Sequence, residues 1–342
     1  MICDSQYLMR IMQHEDRAIV FLVHTIHLPD LEQIAMEKLR ELAVVRTAQN
    51  ESGKELGQEL RDAVAVIIDV DTNISQGVIE EMKRCRIIVT ASVGFDHIDL
   101  KAASSRGICV SNVPGYCAEE VADHSIGLMI AVTRKIFMLN KSTRAGKWDD
   151  WQAAEPVFRL RDRTLGIVGL GRIGTAVSLR AKALGLNVIA YDPYIPIGRD
   201  ASVGVKSVKF DSLLRESDII SMHVPLTDET RHMIGSREFE KMKRGVFIIN
   251  TARGALIDPK ALVDSLNSGK VAGAGLDVFE KEPPDPDDPF LTMDTVVVTP
   301  HTGFLSVESQ RDRQTMAVDE VVRILRNERP RSALNLDQLS KS

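Results

Sequence analysis

Residues 165–192 constrain the rest of the chain: Leu-Gly-Ile-Val-Gly-Leu-Gly-Arg-Ile-Gly, then a helical stretch, then Asn-Val-Ile-Ala-Tyr-Asp. The apolar run Leu165–Val168 reads as a buried strand. It leads into G-x-G-x-x-G at Gly169, Gly171 and Gly174, a helix over Arg172–Leu184 ended by Gly185, a second strand at Asn187–Tyr191, and an acid, Asp192. Three spaced glycines alone carry little information. Strand, glycine turn, helix, strand and acid in register form the dinucleotide-binding βαβ pattern. In it Gly169 permits the tight turn, Gly171 lets backbone approach a pyrophosphate, and Gly174 lets helix and strand pack closely. The helix N-terminus presents free N–H groups and partial positive charge to phosphates. Asp192 lies 18 residues after Gly174, placed to accept hydrogen bonds from the adenosine ribose. Its charge repels a 2′-phosphate, which favours NAD over NADP.

The alternation of strand and helix continues on both sides. Before it, short strands are expected at Ala18–His24, Val44–Arg46, Ala63–Asp69, Arg86–Thr90 and Ile108–Ser111, with a helix from Pro29-Asp30 burying Leu31, Ile34, Leu39 and Leu42. This is a first parallel α/β unit. Asn112-Val113-Pro114-Gly115 breaks both periodicities and reads as a hinge, so the residues alone divide the chain once, near Pro114. A long apolar helix over about Ala118–Lys141 follows, with more apolar surface than one face of one domain needs. It fits a subunit interface or burial between two domains. After the glycine motif, strands at Asp218–His223, Gly245–Asn250, Ala272–Asp277 and Val296–Thr299 complete six parallel strands in two halves, a doubly wound sheet. Glu280–Asp288 reads as a surface loop, Ser306–Arg326 as an amphipathic helix, Arg329–Ser342 as a polar tail that loops back, and residues 1–17 as an extension. Gly204-Val205-Lys206-Ser207 imitates a phosphate loop, but Val205 separates glycine from lysine and the reading is rejected.

Composition narrows the classes. The 342 residues suffice for two domains, and 44% hydrophobic content suffices for their cores. A net charge of −5 gives no bias toward nucleic acid or acidic membranes. Cys3, Cys85, Cys109 and Cys117 form no C-x-x-C pair, so no metal or redox site is expected and a reducing, cytoplasmic setting is. Residues 1–17 lack the apolar core of a signal peptide, and no apolar run approaches membrane-span length.

Three polar stretches fall at expected strand ends, where doubly wound sheets bind ligands: Asn250-Thr251-Ala252-Arg253-Gly254, Asp277-Val278-Phe279-Glu280-Lys281-Glu282-Pro283 and Thr299-Pro300-His301-Thr302-Gly303. Hydride transfer to a ketone needs a group that orients and polarises the carbonyl, a proton source, and contact between donor and acceptor carbons. Arginine suits the first, because its fork holds a carboxylate bidentately. Histidine suits the second, and a nearby carboxylate orients it and favours its charged form. Arg253, His301 and Glu282 match. Each also has a plainer reading: Arg253 as an ion-pair arginine, Glu282 as one solvated acid beside its competitor Glu280, His301 as a structural histidine. His97 and His124 read as structural, and Trp148 and Trp151 as packing residues.

These stretches, with Ser92-Val93-Gly94-Phe95-Asp96-His97-Ile98-Asp99 and Asn112-Val113-Pro114, resemble the D-isomer-specific 2-hydroxyacid dehydrogenases over roughly residues 60–330, in order and at family-like spacings. The resemblance implies two Rossmann-like α/β domains: a doubly wound NAD-binding domain over 115–304 inserted into a flavodoxin-like substrate domain of 1–114 and 305–342. It implies that Arg253 binds substrate, His301 is the acid/base and Glu282 its partner, and that backbone N–H groups at Val93 and Gly94 meet the substrate carboxylate. Arg172 and Ile173 would lie along the pyrophosphate and His223-Val224-Pro225 beside the adenosine. Thr251 and Asp277 would line the nicotinamide side, Asp277 accepting from the carboxamide. It further implies a homodimer through helix 118–141, and a small 2-keto acid reduced to its D-2-hydroxy acid.

Within the family, glyoxylate and hydroxypyruvate reductases have comparable length. The chain shows no counterpart of the C-terminal regulatory region of many phosphoglycerate dehydrogenases. Asp192-Pro193-Tyr194 through Arg253 also resembles the C-terminal-binding proteins, NAD-sensing dimers, though these carry tryptophan where Phe304 stands. Phosphite oxidation is another use of the scaffold.

Overall fold

The computed structural model describes residues 17–23, 28–49, 53–195 and 202–339. The expected extension falls outside these residues except for Arg17, as do His24, Cys3 and the end of the polar tail. The described residues divide into two units, those up to Tyr116 together with those from Ser306 onward, and those from Cys117 to Leu305.

Short apolar runs build the sheet of the first unit, largely buried on both faces in its inner strands, as parallel strands require, and exposing Arg46 and Thr47 at one edge. They are β1 (Ala18–Val23), β2 (Ala43–Ala48), β3 (Ala65–Ile68), β4 (Ile87–Thr90) and β5 (Cys109–Ser111). All pair in parallel in the order β2-β1-β3-β4-β5, the flavodoxin-like arrangement. The expected helix over Ser306–Arg326 is present as Val307–Leu325. It is capped by Ser306 and Ser309, whose side chains each accept the other's backbone N–H. The residues after it loop back onto the sheet, as expected. Ala333 bridges Ser111 antiparallel, and Asn335, buried, accepts from Val110 N–H and donates to Ser104 Oγ and the Ile108 carbonyl.

The second unit holds β6 (Thr164–Val168), β7 (Asn187–Tyr191), β8 (Lys206–Ser207), β9 (Ile219–Met222), β10 (Val246–Asn250), β11 (Val271–Leu276) and β12 (Val296–Val298). Its sheet is parallel in the order β12-β11-β10-β9-β6-β7-β8, doubly wound about the β6/β9 junction. The expected six strands become seven, because the residues that imitate a phosphate loop form the short edge strand β8 beside Ile189 and Ala190. Neighbouring residues serve opposite faces: Ile220 and Ile248 join one apolar cluster, Ile219 and Ile249 the other.

The long apolar helix is two helices, Ala118–Thr133 and Ile136–Arg144. Thr133 Oγ1 donates back to the Met129 carbonyl at 2.6 Å, a bond that bends helices, and Lys135 then adopts a left-handed φ of 52°. The first helix lies on the sheet over Gly273 and Gly275. A Cβ on either would come within 2.7–2.8 Å of Val132 or Leu128. The second helix buries no residue, and Phe137 is 60% exposed. Trp148 and Trp151, expected to pack, are exposed as well, at 79% and 56%. Among the described residues no helix is long and apolar enough to cross a membrane.

Candidate active site

The glycine turn sits where β6 meets β9. Gly169 has φ 96°, and a Cβ there would stand 2.7 Å from the His223 carbonyl oxygen. Gly174 has no room either: its Cβ would lie 2.0 Å from Gly169 O. Gly171 differs. Nothing lies within 4 Å of its Cβ position, and it opens the helix Arg172–Ala183 with no side chain capping the free N–H groups. Two glycines are thus demanded by packing and the third fronts open space at a helix N-terminus, which fits a pyrophosphate. Asp192 is tied to this turn. Its Oδ2 accepts from Leu170 N–H and its Oδ1 from Tyr194 N–H, each at 2.9 Å. It thereby fixes the turn as well as presenting a charge at the end of β7. His223 follows β9, its Nε2 2.8 Å from Ser221 Oγ; burial pushes its pKa down to about 3, so the ring is neutral.

Three strand-end segments meet on the other half of the sheet. After β10, Asn250 accepts from Ala252 N–H and donates to the Arg253 carbonyl, which fixes the turn carrying Arg253. Thr251 Oγ1 lies 2.8 Å from Ser125 Oγ. Gly254 then allows a close crossing: a Cβ there would be 2.0 Å from Phe279 C and 2.2 Å from Glu280 N. The Arg253 segment therefore abuts the loop that carries Glu282. Glu282 Oε1 accepts from Phe279 N–H at 2.9 Å, and Oε2 lies 2.7 Å from His301 Nδ1. Partial burial raises the Glu282 pKa. The hydrogen bond and charge of His301, the Phe279 N–H and the Arg253 charge outweigh it and hold the carboxyl below its ordinary range.

Asp277, at the end of β11, explains the position of His301. It is 1% exposed. Its Oδ1 accepts from Thr299 Oγ1 and Thr302 N–H, its Oδ2 from Gly303 N–H, and its carbonyl from His301 N–H. The turn 299–303 is wrapped around one carboxylate, and His301 takes a left-handed φ of 54° within it. Because the Thr299 hydroxyl donates to Asp277, it must accept from His124, so His124 Nε2 carries a proton. Burial raises the Asp277 pKa, but the hydrogen bonds from His124, Thr299, Thr302 and Gly303 dominate and lower it. The carboxylate assigned to the nicotinamide carboxamide by resemblance is directed into this turn. The His301 ring meets Phe304 edge to face at 6.5 Å between centroids.

The second unit thus brings Arg253, Glu282 and His301 together. Val93 and Gly94 belong to the first unit, in a loop held by its carbonyls. Asn112 Nδ2 donates to Val93 O, and Ser92 Oγ to Gly94 O. Among the described residues no acceptor meets either of their N–H groups. Sequence reasoning missed Asn250 and Thr299 and took His124 only as structural. For Asn250 and Thr299 the signal was their place at or beside strand ends; His124 lies within the helix Ala118–Thr133 and carried no such signal.

The family model for the D-isomer specific 2-hydroxyacid dehydrogenase, NAD binding domain, matches residues 126–303. The D-3-phosphoglycerate dehydrogenase of Archaeoglobus fulgidus is 43% identical over 291 residues, 85% of this chain and 55% of the relative. The glyoxylate reductase of Korarchaeum cryptofilum is 38% identical over 315 residues, 91% of this chain and 94% of the relative. A crystal structure of D-lactate dehydrogenase from Aquifex aeolicus, complexed with NAD and lactic acid, matches with a TM-score of 0.80 at 28% identity, covering 95% of this chain and 98% of that one. The chain belongs to the D-isomer-specific 2-hydroxyacid dehydrogenase family. It spans little more than half the length of the phosphoglycerate dehydrogenase it matches.

Proposed function

We propose that this chain is an NAD-dependent oxidoreductase that interconverts a small 2-keto acid and its D-2-hydroxy acid. The observation that carries the reading is the His301–Glu282 contact at 2.7 Å beside the Arg253 segment, at the carboxyl ends of a sheet whose glycine turn fits a dinucleotide. When bound, the nicotinamide dinucleotide supplies or accepts the hydride. Gly169–Gly174, with Arg172 and Ile173, cradle its pyrophosphate. Asp192 holds the adenosine ribose and disfavours a 2′-phosphate, and His223, Val224 and Pro225 flank the adenosine.

By the family resemblance Arg253 binds the substrate, and the N–H groups of Val93 and Gly94 are donors for a substrate carboxylate. His301 donates a proton to the substrate oxygen during reduction and takes it back during oxidation, with Glu282 accepting from Nδ1 so that Nε2 faces the substrate. Asp277 fixes the turn that presents His301, and Thr251 and Asp277 line the nicotinamide side, Asp277 accepting from the carboxamide. The exposed apolar residues Ile136, Phe137, Trp148 and Trp151, on and just after the second of the two helices that replace the expected helix 118–141, support a homodimer. The names of the relatives, D-3-phosphoglycerate dehydrogenase, glyoxylate reductase and hydroxypyruvate reductase, support a small 2-keto or 2-hydroxy acid as substrate class, and the reducing setting read from the cysteines supports a cytoplasmic location.

The test is NADH consumption against glyoxylate, hydroxypyruvate, pyruvate, 2-ketobutyrate, phenylpyruvate and 3-phosphohydroxypyruvate, with NADPH in parallel and His301→Ala as control. Turnover lost in His301→Ala supports the reading. Silence across the panel with NADH still bound refutes it, in favour of a phosphite-type activity or an NAD-sensing binding protein.

A further inference from the structure

The loop after β11 carries two carboxylates, and each meets a histidine. Glu282 meets His301; Glu280 Oε1 lies 2.8 Å from His232 Nε2, with Arg231 Nη1 at 3.8 Å. Both histidines hold a left-handed backbone, φ 50° at His232 and 54° at His301. Such conformations persist in residues other than glycine where the surroundings over-determine them. At His232 the surroundings are the substrate arginine's own segment. His232 N–H donates to the Ala255 carbonyl at 2.8 Å, Ile234 N–H to Leu256 O at 3.2 Å, and Asp258 N–H to Ile234 O at 2.9 Å.

The stretch His232–Ile234 therefore runs beside Ala255–Asp258 and reaches across it to Glu280. The turn 279–282 is held at three points: inside by Phe279 N–H on Glu282, along its backbone by Gly254, and outside by His232 on Glu280. The charged and titratable groups facing it are Arg231 and His232 at Glu280, and His301 and Arg253 at Glu282. An exposed ion pair of this kind contributes little to stability. Its position on the turn that sets Glu282 gives it another use.

We propose that His232, acting through Glu280, is a positioning residue for the acid–base pair: it holds the turn 279–282 so that Glu282 keeps its contact with His301. The proposal rests on the reading of His301 and Glu282 given above. His232→Ala removes the outer tether, and His232→Gln keeps an N–H donor near the place of Nε2.

In steady-state reduction by NADH, His232→Ala lowers kcat by about tenfold, the scale of a sub-ångström loosening in a positioned group. KM for NADH stays within about twofold, because the glycine turn is untouched. The pH profile moves toward that of Glu282→Gln, and His232→Gln restores most of the rate. In the Glu282→Gln background, His232→Ala adds no further loss. An unchanged kcat and pH profile in His232→Ala, or a full additional loss in the Glu282→Gln background, overturns the proposal.

A second readout needs no substrate. With ¹⁵N-labelled histidine, the His301 ring resonances in His232→Ala shift toward those of Glu282→Gln. Unmoved His301 resonances overturn the positioning role whatever the turnover. A wild-type protein silent across the keto-acid panel overturns the activity and leaves this NMR comparison to decide the geometry.

Discussion

Alanine at Gly174 and at Gly171 separates two jobs performed by one turn. A Cβ on Gly174 would stand 2.0 Å from Gly169 O and 3.1 Å from both Gly169 C and Ile167 Cγ2. Carbon–oxygen contacts settle near about 3.3–3.6 Å, so helix and turn must part by more than about 1 Å. Overpacking of this kind costs about 1–3 kcal/mol. For a domain of this size that lowers Tm by roughly 2–12 °C. The same displacement carries the helix N–H groups away from the phosphates, and a misplacement of about 1 Å weakens NADH binding by up to about 100-fold. A Cβ on Gly171 meets nothing, and its φ of −70° and ψ of −159° are open to alanine. Gly171→Ala therefore keeps Tm within roughly 2 °C. Its methyl group still fills the space reserved for the pyrophosphate, and NADH affinity falls by about tenfold or more, a loss of at least about 1.4 kcal/mol. Thermal melting without cofactor and a fluorescence titration with NADH read the two effects apart. Unaltered NADH binding in Gly171→Ala would refute the passage of the pyrophosphate over that residue. A wild-type Tm in Gly174→Ala would refute the close packing.

Glu282→Gln removes the anion beside His301; the pH at which reduction falls off moves down, kcat drops by about 10- to 100-fold, and an unmoved profile shows the pair is not used. Asp277, whose pKa is lowered in the fold, stabilises the protein above its unfolded value of about 3.9 and loses that contribution as pH falls through the folded value. Asp277→Asn therefore destabilises by about 2–3 kcal/mol near neutrality, and its difference from wild type in urea midpoint narrows on acidification; a constant difference would count against the charge. Asp192→Ala raises the ratio of NADPH to NADH efficiency by about tenfold, while NADH affinity itself falls because Leu170 N–H loses its acceptor. An unchanged ratio would remove Asp192 from cofactor choice.

The glycine motif was legible because each part of it obeys a local rule: the turn, the helix start and the strand-end acid all lie within 28 residues. Arg253, Glu282 and His301 were legible as residue types at strand ends, since the carboxyl ends of parallel strands converge. What held them in place was not. Asp277 gathers hydrogen bonds from Thr299, Thr302 and Gly303, more than twenty residues away, and no periodicity marks such a contact. The break after Thr133 was hidden for a different reason. Apolar residues continue through Ile136–Leu139, so hydrophobic periodicity carries past a bend made by one hydroxyl and one left-handed lysine. The edge strand β8 was read as a spoiled phosphate loop because two residues carry too little pattern to declare a strand.

The stitching of residues 306–339 into the first sheet sets an order of events during synthesis. Asp30 N–H waits for Gln314, 284 residues later, and Val110 N–H for Asn335, 225 residues later. The whole of the intervening unit, residues 117–305, must leave the ribosome first. At about 5–20 residues per second, those roughly 190 residues take about 10–40 s, during which β1 to β5 lack their closing helix. A chain arrested at residue 305 accordingly shows a protease-sensitive first unit, and one released through residue 339 does not. The first unit is thus begun before the inserted unit and finished after it, and its exposure to chaperones and proteases is fixed by the length of the inserted unit.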